Sequence, residues 1–385
     1  MQRILVINGP NLNLLGTRSP EIYGTTTLTD LEALCRSWGT ELGVEVRTFQ
    51  SNHEGALIDG LHEARDVFDG VVLNPGAYAH TSYALRDAIE AAGIPTAEVH
   101  ISNIKEREPW RSISVTAPAC TATIYGRGIQ GYRWALRHLV FAHRVPPKVL
   151  AYGEGPDQVG DLRLPEGPGP HPIAVLLHGG FWRRQWTRDL MDGLAVDLAE
   201  RGFATWNLEY RRIGEGGGWP ATVLDVAQGI DHITLLEADI DRSQVAVIGH
   251  SAGGHLALAS SVRTDAVTPA LLVSLAGITD LAAALRDGLG SDAVAAFMGD
   301  ATSKTAIAQA SPTTMSPLGA RQLIVHGTDD DAVPVDYSRR YVDSARAAGE
   351  DVEYVELAST GHMSLIDERS AGWSDIAGRL AEMLP

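Results

Sequence analysis

The sequence holds only two cysteines, Cys35 and Cys120, in 385 residues. Two thiols cannot build a disulfide framework, and neither has the neighbours that a metal site requires, so no metal is expected. The thiol count fits a reducing, cytoplasmic setting. Nowhere is there a run of about 18 apolar residues, and no membrane span is expected. The opening MQRILVINGPN sets one arginine before a short apolar run broken by Asn8, Asn11 and Asn13, the pattern of a first β-strand rather than a signal peptide. Positive charge is scarce as well: 31 Lys and Arg stand against 48 Asp and Glu, a net charge of −17. That balance argues against non-specific nucleic-acid binding and against a cationic membrane surface. A few local arginines can still outvote it for an anionic small molecule.

What is present is enough for a folded α/β protein of more than one domain. The chain is 44% hydrophobic and 21% charged, and its 40 glycines and 19 prolines follow no collagen period. Its length is two to three times a typical ~150-residue domain. In the first part, strand-like runs at 3–7, 44–49, 70–73, 96–99 and 121–125 alternate with helical patterns at 28–42, 56–67, 82–92 and 129–142. This βα repeat predicts a small parallel sheet with right-handed crossovers. Ligands of such sheets bind beyond the carboxyl ends of the strands, which here carry the polar clusters 8–13, 74–80 and 98–102. The pattern restarts after Pro146 and Pro147. Strands are then expected at 149–152, 173–177, 204–208, 244–248, 271–275, 322–325 and 352–356, and helices at 188–200, 222–237, 253–262, 336–348 and 373–383. The domains are accordingly placed at 1–146 and 147–385. They share no internal period, so the chain reads as a fusion of two different modules.

The segments GPNLNLLGTRSPEIYG, QSNHEGALID, NPGAYAHTSYALRDA, EVHISNIKEREPWR and GIQGYRWAL closely resemble the type II 3-dehydroquinate dehydratases, in order and over essentially all of 1–146. The resemblance implies a flavodoxin-like fold, no metal or cofactor, a homo-oligomer that is usually a dodecamer built from trimers, and conversion of 3-dehydroquinate to 3-dehydroshikimate with loss of water. Such a reaction needs a base for the proton beside a ketone, stabilisation of an enolate, and an acid for the departing hydroxyl. The resemblance implies Tyr23 as the base. A tyrosine starts near a pKa of about 10 and needs cationic neighbours, and Arg18 lies on the same Gly/Pro-bounded loop, 15–24, which reads as a lid. By the same resemblance Asn11 holds a water at the enolate oxygen, His100 is the general acid, and Glu98 orients that imidazole. Asn74 and His80 bind hydroxyls, Arg111 clamps the ring, and the amides of Ile101 and Ser102 cradle the carboxylate. Arg107 and Asp87 give support from the lid side and from a neighbouring subunit. The chain departs from the family where SIS follows Arg111 in place of a histidine pair before the serine, and in PACTATIYGRG.

The second part carries an independent constellation. Gly249-His250-Ser251-Ala252-Gly253 follows an expected strand and opens an expected helix, the setting of a nucleophile elbow. Upstream, HGGFW offers Gly179, Gly180 and Phe181, whose backbone N–H groups can approach an oxyanion together with that of Ala252. Downstream, HGTDDDAVP and STGHMSLID supply an aspartate and His362, in the Ser, Asp, His order of an α/β-hydrolase. These segments, with NLEYRRIGEGGGWP, resemble the arylformamidase and small carboxylesterase branch of that fold. The resemblance picks Asp330 over Asp329 and Asp331, and Met363 stands where the branch has phenylalanine. Phe181, Trp182, Trp186, Trp219 and Met363 are candidates for an apolar acyl pocket, with Trp186 and Trp219 equally open to a core role. The function expected is a dehydratase joined to a serine-dependent hydrolase acting on a carboxylic ester, with an acylated quinate or shikimate as the substrate that would link the halves. The alternatives are an arylformamidase, an unrelated esterase, or a hydrolase-fold scaffold.

Overall fold

The strand and helix alternation of the sequence resolves into two separately packed sheets. The computed structural model of the protein describes residues 1–315 and 317–384, and the chain divides into the units Met1–Arg144 and Val145–Pro385.

In the first unit β1 (Arg3–Asn8), β2 (Glu45–Gln50), β3 (Gly70–Asn74), β4 (Thr96–His100) and β5 (Ala122–Tyr125) form a parallel sheet in the order β2-β1-β3-β4-β5. This is the flavodoxin-like order, whose direction reverses at β1. The helices are α1 (Pro20–Tyr23), α2 (Leu28–Leu42), α3 (Glu54–Ala64), α4 (Tyr83–Ala92) and α5 (Gln130–Arg144). The inner strands β1 and β3 read as apolar runs because both their faces are covered, whereas the edge strand β2, EVRTFQ, carries polar and exposed positions. Leu31, Cys35 and Trp38 of α2 and Leu136 and Leu139 of α5 pack on Ile4, Val6, Val72 and Val99. Leu57 and Leu61 of α3 and Leu85 and Ile89 of α4 pack on Leu5, Ile7, Val71 and Leu73 from the other side. The start of α2 falls where a capping box dictates: Thr27 Oγ1 accepts from the Asp30 amide, and Asp30 accepts from the Thr27 amide.

The second unit is an eight-stranded sheet in the order β13-β12-β11-β10-β8-β9-β7-β6. Its strands are β6 (Lys148–Ala151), β7 (Val159–Arg163), β8 (His171–Leu177), β9 (Ala204–Leu208), β10 (Ile240–His250), β11 (Leu271–Leu275), β12 (Arg321–Gly327) and β13 (Val352–Leu357). All pairings are parallel except β6–β7 and β7–β9. The helices are α6 (Asp192–Glu200), α7 (Ala221–Asp231), α8 (Ala252–Ser261), α9 (Leu281–Arg286), α10 (Ala293–Met298), α11 (Lys304–Ala310), α12 (Pro312–Met315), α13 (Asp336–Ala347) and α14 (Ala371–Met383).

Several expectations need correction. β7 was not foreseen, because VGDLR lacks a β-branched run and its Gly160 lies under the Trp206 indole. The helix expected over 222–237 stops at Asp231 and continues as a 3₁₀ turn, His232–Leu235, and that expected over 188–200 begins as a 3₁₀ turn, Arg188–Met191. The helices α9 to α12 are each seven residues or fewer, too short for an amphipathic period to register. Among the described residues no helix is long and apolar enough to cross a membrane, and no group of three or more His, Cys, Asp or Glu could hold a metal ion.

An ion pair ties β7 to α6 inside the second unit. Arg163 and Asp192 are both buried, with Arg163 Nη2 at 2.8 Å from Asp192 Oδ1 and Arg163 Nε donating to the Val145 carbonyl. Removing one partner strands a charge away from water, whereas replacing both by apolar groups of similar size does not. Asp192→Ala is therefore expected to cost about 3–5 kcal/mol in urea unfolding, and Arg163→Met with Asp192→Leu to recover most of it. A single variant within about 1 kcal/mol of wild type would assign the pair the small weight of a surface bridge.

Candidate active sites

In the first unit the ends of β1, β3 and β4 meet at one cavity of about 50 Å³, lined among others by Asn11, Arg18, Tyr23, Asn74, His80, His100, Ile101, Ser102 and Arg111. These side chains are spread over a hundred residues of sequence and converge because the three strands are neighbours in the sheet. Asn11 adopts a left-handed conformation, φ 65°, with its amide bonded to Asn52 Oδ1. The expected lid segment contains the short helix α1, which carries Tyr23 at its end. Arg107 Nη1 lies 3.3 Å from the Tyr23 hydroxyl and 3.2 Å from Ser102 Oγ, and the Arg18 guanidinium stands 5.3 Å from the Tyr23 ring centre. Glu108 joins Arg107 and Arg111 at 3.3 and 3.1 Å.

Behind the cavity His100 Nε2 lies 2.7 Å from Glu98 Oε1. Glu98 also accepts from Ser114 Oγ at 2.6 Å and Thr116 Oγ1 at 2.5 Å. Burial alone would raise this carboxyl, but the bonds from His100, Ser114 and Thr116 outweigh it and hold Glu98 below its ordinary value. A carboxylate only accepts, so His100 Nε2 carries a proton and Nδ1 is the nitrogen left for other partners. His80 Nδ1 donates to the Ile113 carbonyl at 2.7 Å, and burial lowers its pKa. The neutral ring then keeps Nε2 as an acceptor.

Asn74 is fixed by residues that sequence reasoning passed over. Its Nδ2 donates to the Tyr132 hydroxyl at 2.8 Å, its Oδ1 accepts from the Gly76 amide, and Tyr132 donates in turn to Asn8 Oδ1 at 2.7 Å. Burial pushes the Tyr132 phenol up, so it stays a neutral bridge. Ser114 closes the SIS segment that follows Arg111, Thr116 lies between it and PACTATIYGRG, and neither was assigned a role from the sequence. Asp87 lies exposed on α4, outside the residues that line the cavity.

In the second unit Ser251 sits between β10 and α8 at φ 57°, ψ −119°. This is a strained conformation for a residue with a side chain. Its amide donates to the Leu275 carbonyl at 2.8 Å, and its Oγ is buried without a hydrogen-bond partner. Two glycines make the turn feasible. A Cβ at Gly249 would strike the Gly253 carbonyl, and one at Gly179 would fall 2.9 Å from the Ser251 Cβ. The HGG loop therefore runs directly against the nucleophile candidate. Ala252 opens α8, where the first N–H groups have no intrahelical acceptor. Gly180, Phe181 and Trp182 follow with positive φ.

His362 Nδ1 is 2.7 Å from Asp330 Oδ2, which leaves Nε2 as the basic nitrogen of the neutral ring. Asp330 also meets His326 Nε2 at 3.2 Å and accepts from the amides of Ala332 and Val333. Burial works against its charge, but the bonds from His326 and His362 hold it well below the usual carboxylate range. The ring of His250 lies 4.4 Å from that of His362, and its Nε2 donates to the His362 carbonyl. Burial holds His250 neutral. His362 is thereby tied to the residue that precedes Ser251.

The HGG loop has its own anchor. His178 Nε2 is 2.9 Å from Glu209 Oε1, and its ring stacks on Tyr210 at 4.3 Å. Glu209 further meets Arg212 Nη1 at 3.2 Å and the Arg188 amide at 3.1 Å. Burial opposes ionisation of Glu209, yet Arg212 and His178 bring its pKa down to about 2. Of the aromatic residues proposed for an acyl pocket, Trp182 is a core residue, fully buried and stacked on Phe297 at 4.3 Å. Trp186 backs Gly180. Trp219 pairs with Arg263 just beyond the C-terminus of α8, about 15 Å of helix from Ser251. Phe181 packs against Gly290, and the exposed Met363 directly follows His362 in the chain.

Comparison with known proteins matches both units. The family model described as dehydroquinase class II covers residues 2–140, and that described as BD-FAE covers residues 161–344. Catabolic 3-dehydroquinase 1 of Neosartorya fischeri is 54% identical over 136 residues, 35% of this chain and 91% of that protein. The 3-dehydroquinate dehydratase of Bacillus pumilus is 54% identical over 140 residues, 36% of this chain and 95% of that protein. The truncated form of a carbohydrate esterase from gut microbiota aligns over 61% of this chain and 94% of its own, with a TM-score of 0.55 at 20% identity, a likeness of fold.

Glu209 generates a pH test. Its folded pKa of about 2 lies below the ordinary 4.5, so its contribution is complete above pH 4.5 and is lost as pH falls towards 2. Glu209→Gln is expected to destabilise the protein by about 3 kcal/mol at pH 7, with the gap narrowing below pH 4.5. Unfolding curves at pH 7 and pH 3 measure it, and an equal gap at both would remove the charge as its source.

Proposed function

The chain belongs to the class II dehydroquinase family through residues 2–140 and carries a BD-FAE domain of α/β-hydrolase fold after it. From this we propose a bifunctional enzyme, a 3-dehydroquinate dehydratase joined to a serine-dependent ester hydrolase. The convergence of Tyr23, Arg18, Asn11, Asn74, His80, His100 and Arg111 on one cavity carries the first assignment. The Asp330–His362 bond, linked to His250, the residue before the strained Ser251, carries the second.

In the dehydratase reading Tyr23, as phenolate, removes the proton beside the ketone, with Arg107 at its oxygen and Arg18 over its ring. Asn11 holds the water that meets the enolate oxygen, and the amides of Ile101 and Ser102 receive the substrate carboxylate. His100 delivers a proton from Nδ1 to the departing hydroxyl, which leaves as water, while Glu98 balances the imidazolium. Arg111 covers the ring, His80 and Asn74 meet its hydroxyls, and Asp87 acts from a neighbouring subunit of a homo-oligomer.

In the hydrolase reading Ser251 Oγ attacks the acyl carbonyl, and His362 Nε2 takes its proton and returns it to the leaving alkoxide. Amides of the Gly179-Gly180-Phe181 loop and of Ala252 face the oxyanion. An acylated quinate or shikimate is the proposed ester, since its hydrolysis would release a ring acid related to the dehydratase substrate. The fusion itself supports this link. N-formylkynurenine is the competing substrate, and the measurement is Ser251-dependent kcat/KM on both.

The two activities are expected to separate by mutation. Tyr23→Phe should lower dehydratase kcat by about 10²–10⁴-fold and leave ester turnover unchanged. Ser251→Ala should abolish ester turnover, by at least about 10³-fold, and spare the dehydratase. Dehydration that survives Tyr23→Phe would reduce the first unit to an assembly module. Ester turnover that survives Ser251→Ala would remove the triad. Preference for the formamide, or for neither substrate, would break the link between the halves.

A further inference from the structure

We propose that His326 and Ser338 are positioning residues for ester hydrolysis, fixing the carboxylate of Asp330 on which His362 depends. The inference rests on reading the second unit as a serine hydrolase. His326 lies at the end of β12 and Ser338 in the first turn of α13, and both are fully buried. His326 Nε2 faces two groups that can only accept, the Val333 carbonyl at 2.9 Å and Asp330 Oδ2 at 3.2 Å. Nε2 therefore carries the proton. Nδ1 then accepts from Ser338 Oγ at 2.7 Å, so the serine hydroxyl selects the tautomer whose one N–H lies between the Val333 carbonyl and the aspartate.

The same oxygen, Oδ2, receives His362 Nδ1, while Oδ1 is taken by the amides of Ala332 and Val333. Asp330 is thus held on both oxygens before His362 binds it. Its neighbour Asp329 is instead bonded to Thr328 at the surface. The charged and titratable groups that face this pair are His362, its ring neighbour His250 and, from β13, Glu356, itself held by Arg339 and Tyr354. Without His326, Asp330 loses one fixed donor and offers its charge undivided to the imidazolium that forms on His362. Turnover should fall through misplacement, and the acid limb of the pH profile should move upward.

The test uses the full chain with p-nitrophenyl acetate, and urea unfolding of each variant, followed by a probe of the second unit, as the check on folding. His326→Leu is expected to lower ester kcat by roughly 10–100-fold, with KM within about twofold and the acid limb of kcat/KM shifted to higher pH. His326→Gln, whose side-chain amide can supply the lost donor, should restore most of kcat and return the limb. Ser338→Ala should have a smaller effect in the same direction. Wild-type kcat and an unmoved limb in His326→Leu overturn the proposal. So does a loss that His326→Gln leaves unrepaired with the limb unmoved, since that marks a packing role. If wild type and Ser251→Ala turn over ester equally, the hydrolase reading fails, and this inference fails with it.

Discussion

A carboxylate taken out of water costs several kcal/mol unless hydrogen-bond donors replace its lost hydration, and both sites of this protein are organised around carboxylates that meet this demand. Glu98 is held by His100, Ser114 and Thr116, Asp330 by His362, His326 and two amides, and Glu209 by His178, Arg212 and the Arg188 amide. Each carboxylate is ionised because its donors are fixed, and each fixes an imidazole in return. That exchange sets which nitrogen of His100 and His362 is free to act. It also anchors the loop that faces Ser251.

The sheets supply the positions at which such pairs can form. In the first unit Asn11, Asn74 and His100 come from the ends of three adjacent strands, on the side of β1 where the strand order reverses. In the second, His178, Ser251, Asp330 and His362 follow β8, β10, β12 and β13 at their carboxyl ends. The strain at Ser251 is tolerated because the neighbouring chain is over-determined. β11 takes its amide, and the Gly249 and Gly179 backbones pass too close to their neighbours for any side chain. Rigid strands thus hold a conformation that an isolated turn would relax.

Much of this was legible before the structure. The parallel order of short apolar strands and the elbow around Ser251 follow from local pattern, since a strand covered on both faces must be apolar and an elbow must be flanked by small residues. The bonding partners were less legible. Ser114, Thr116 and Tyr132 lie 16 to 58 residues from Glu98 and Asn74, which they hold; Tyr132 falls in the family-like segment GIQGYRWAL, but nothing local shows which side chain any of the three will meet. Trp182 misled for the converse reason. It adjoins Gly179 and Gly180 in sequence, but with positive φ it lies in the core beside Phe297.

The sequence by itself determined that two α/β units are joined, where all their strands but β7 run, and which residue types stand at the strand ends, because hydrophobic period and turn chemistry are local properties. The resemblance had already picked Asp330 and paired Glu98 with His100, and only the tertiary structure decided which donors hold each of these carboxylates. Asp330, rather than Asp329 or Asp331, is turned inward by the amides of Ala332 and Val333 and meets His362 and His326 there. Glu98 and Glu209 likewise owe their charge to a near neighbour in the chain, His100 and Arg212, together with donors that packing brings in, Ser114 and Thr116 for the first and His178 for the second. Hydrogen bonds act over such distances in space whatever the separation along the chain, so ionisation and tautomer are set by the fold.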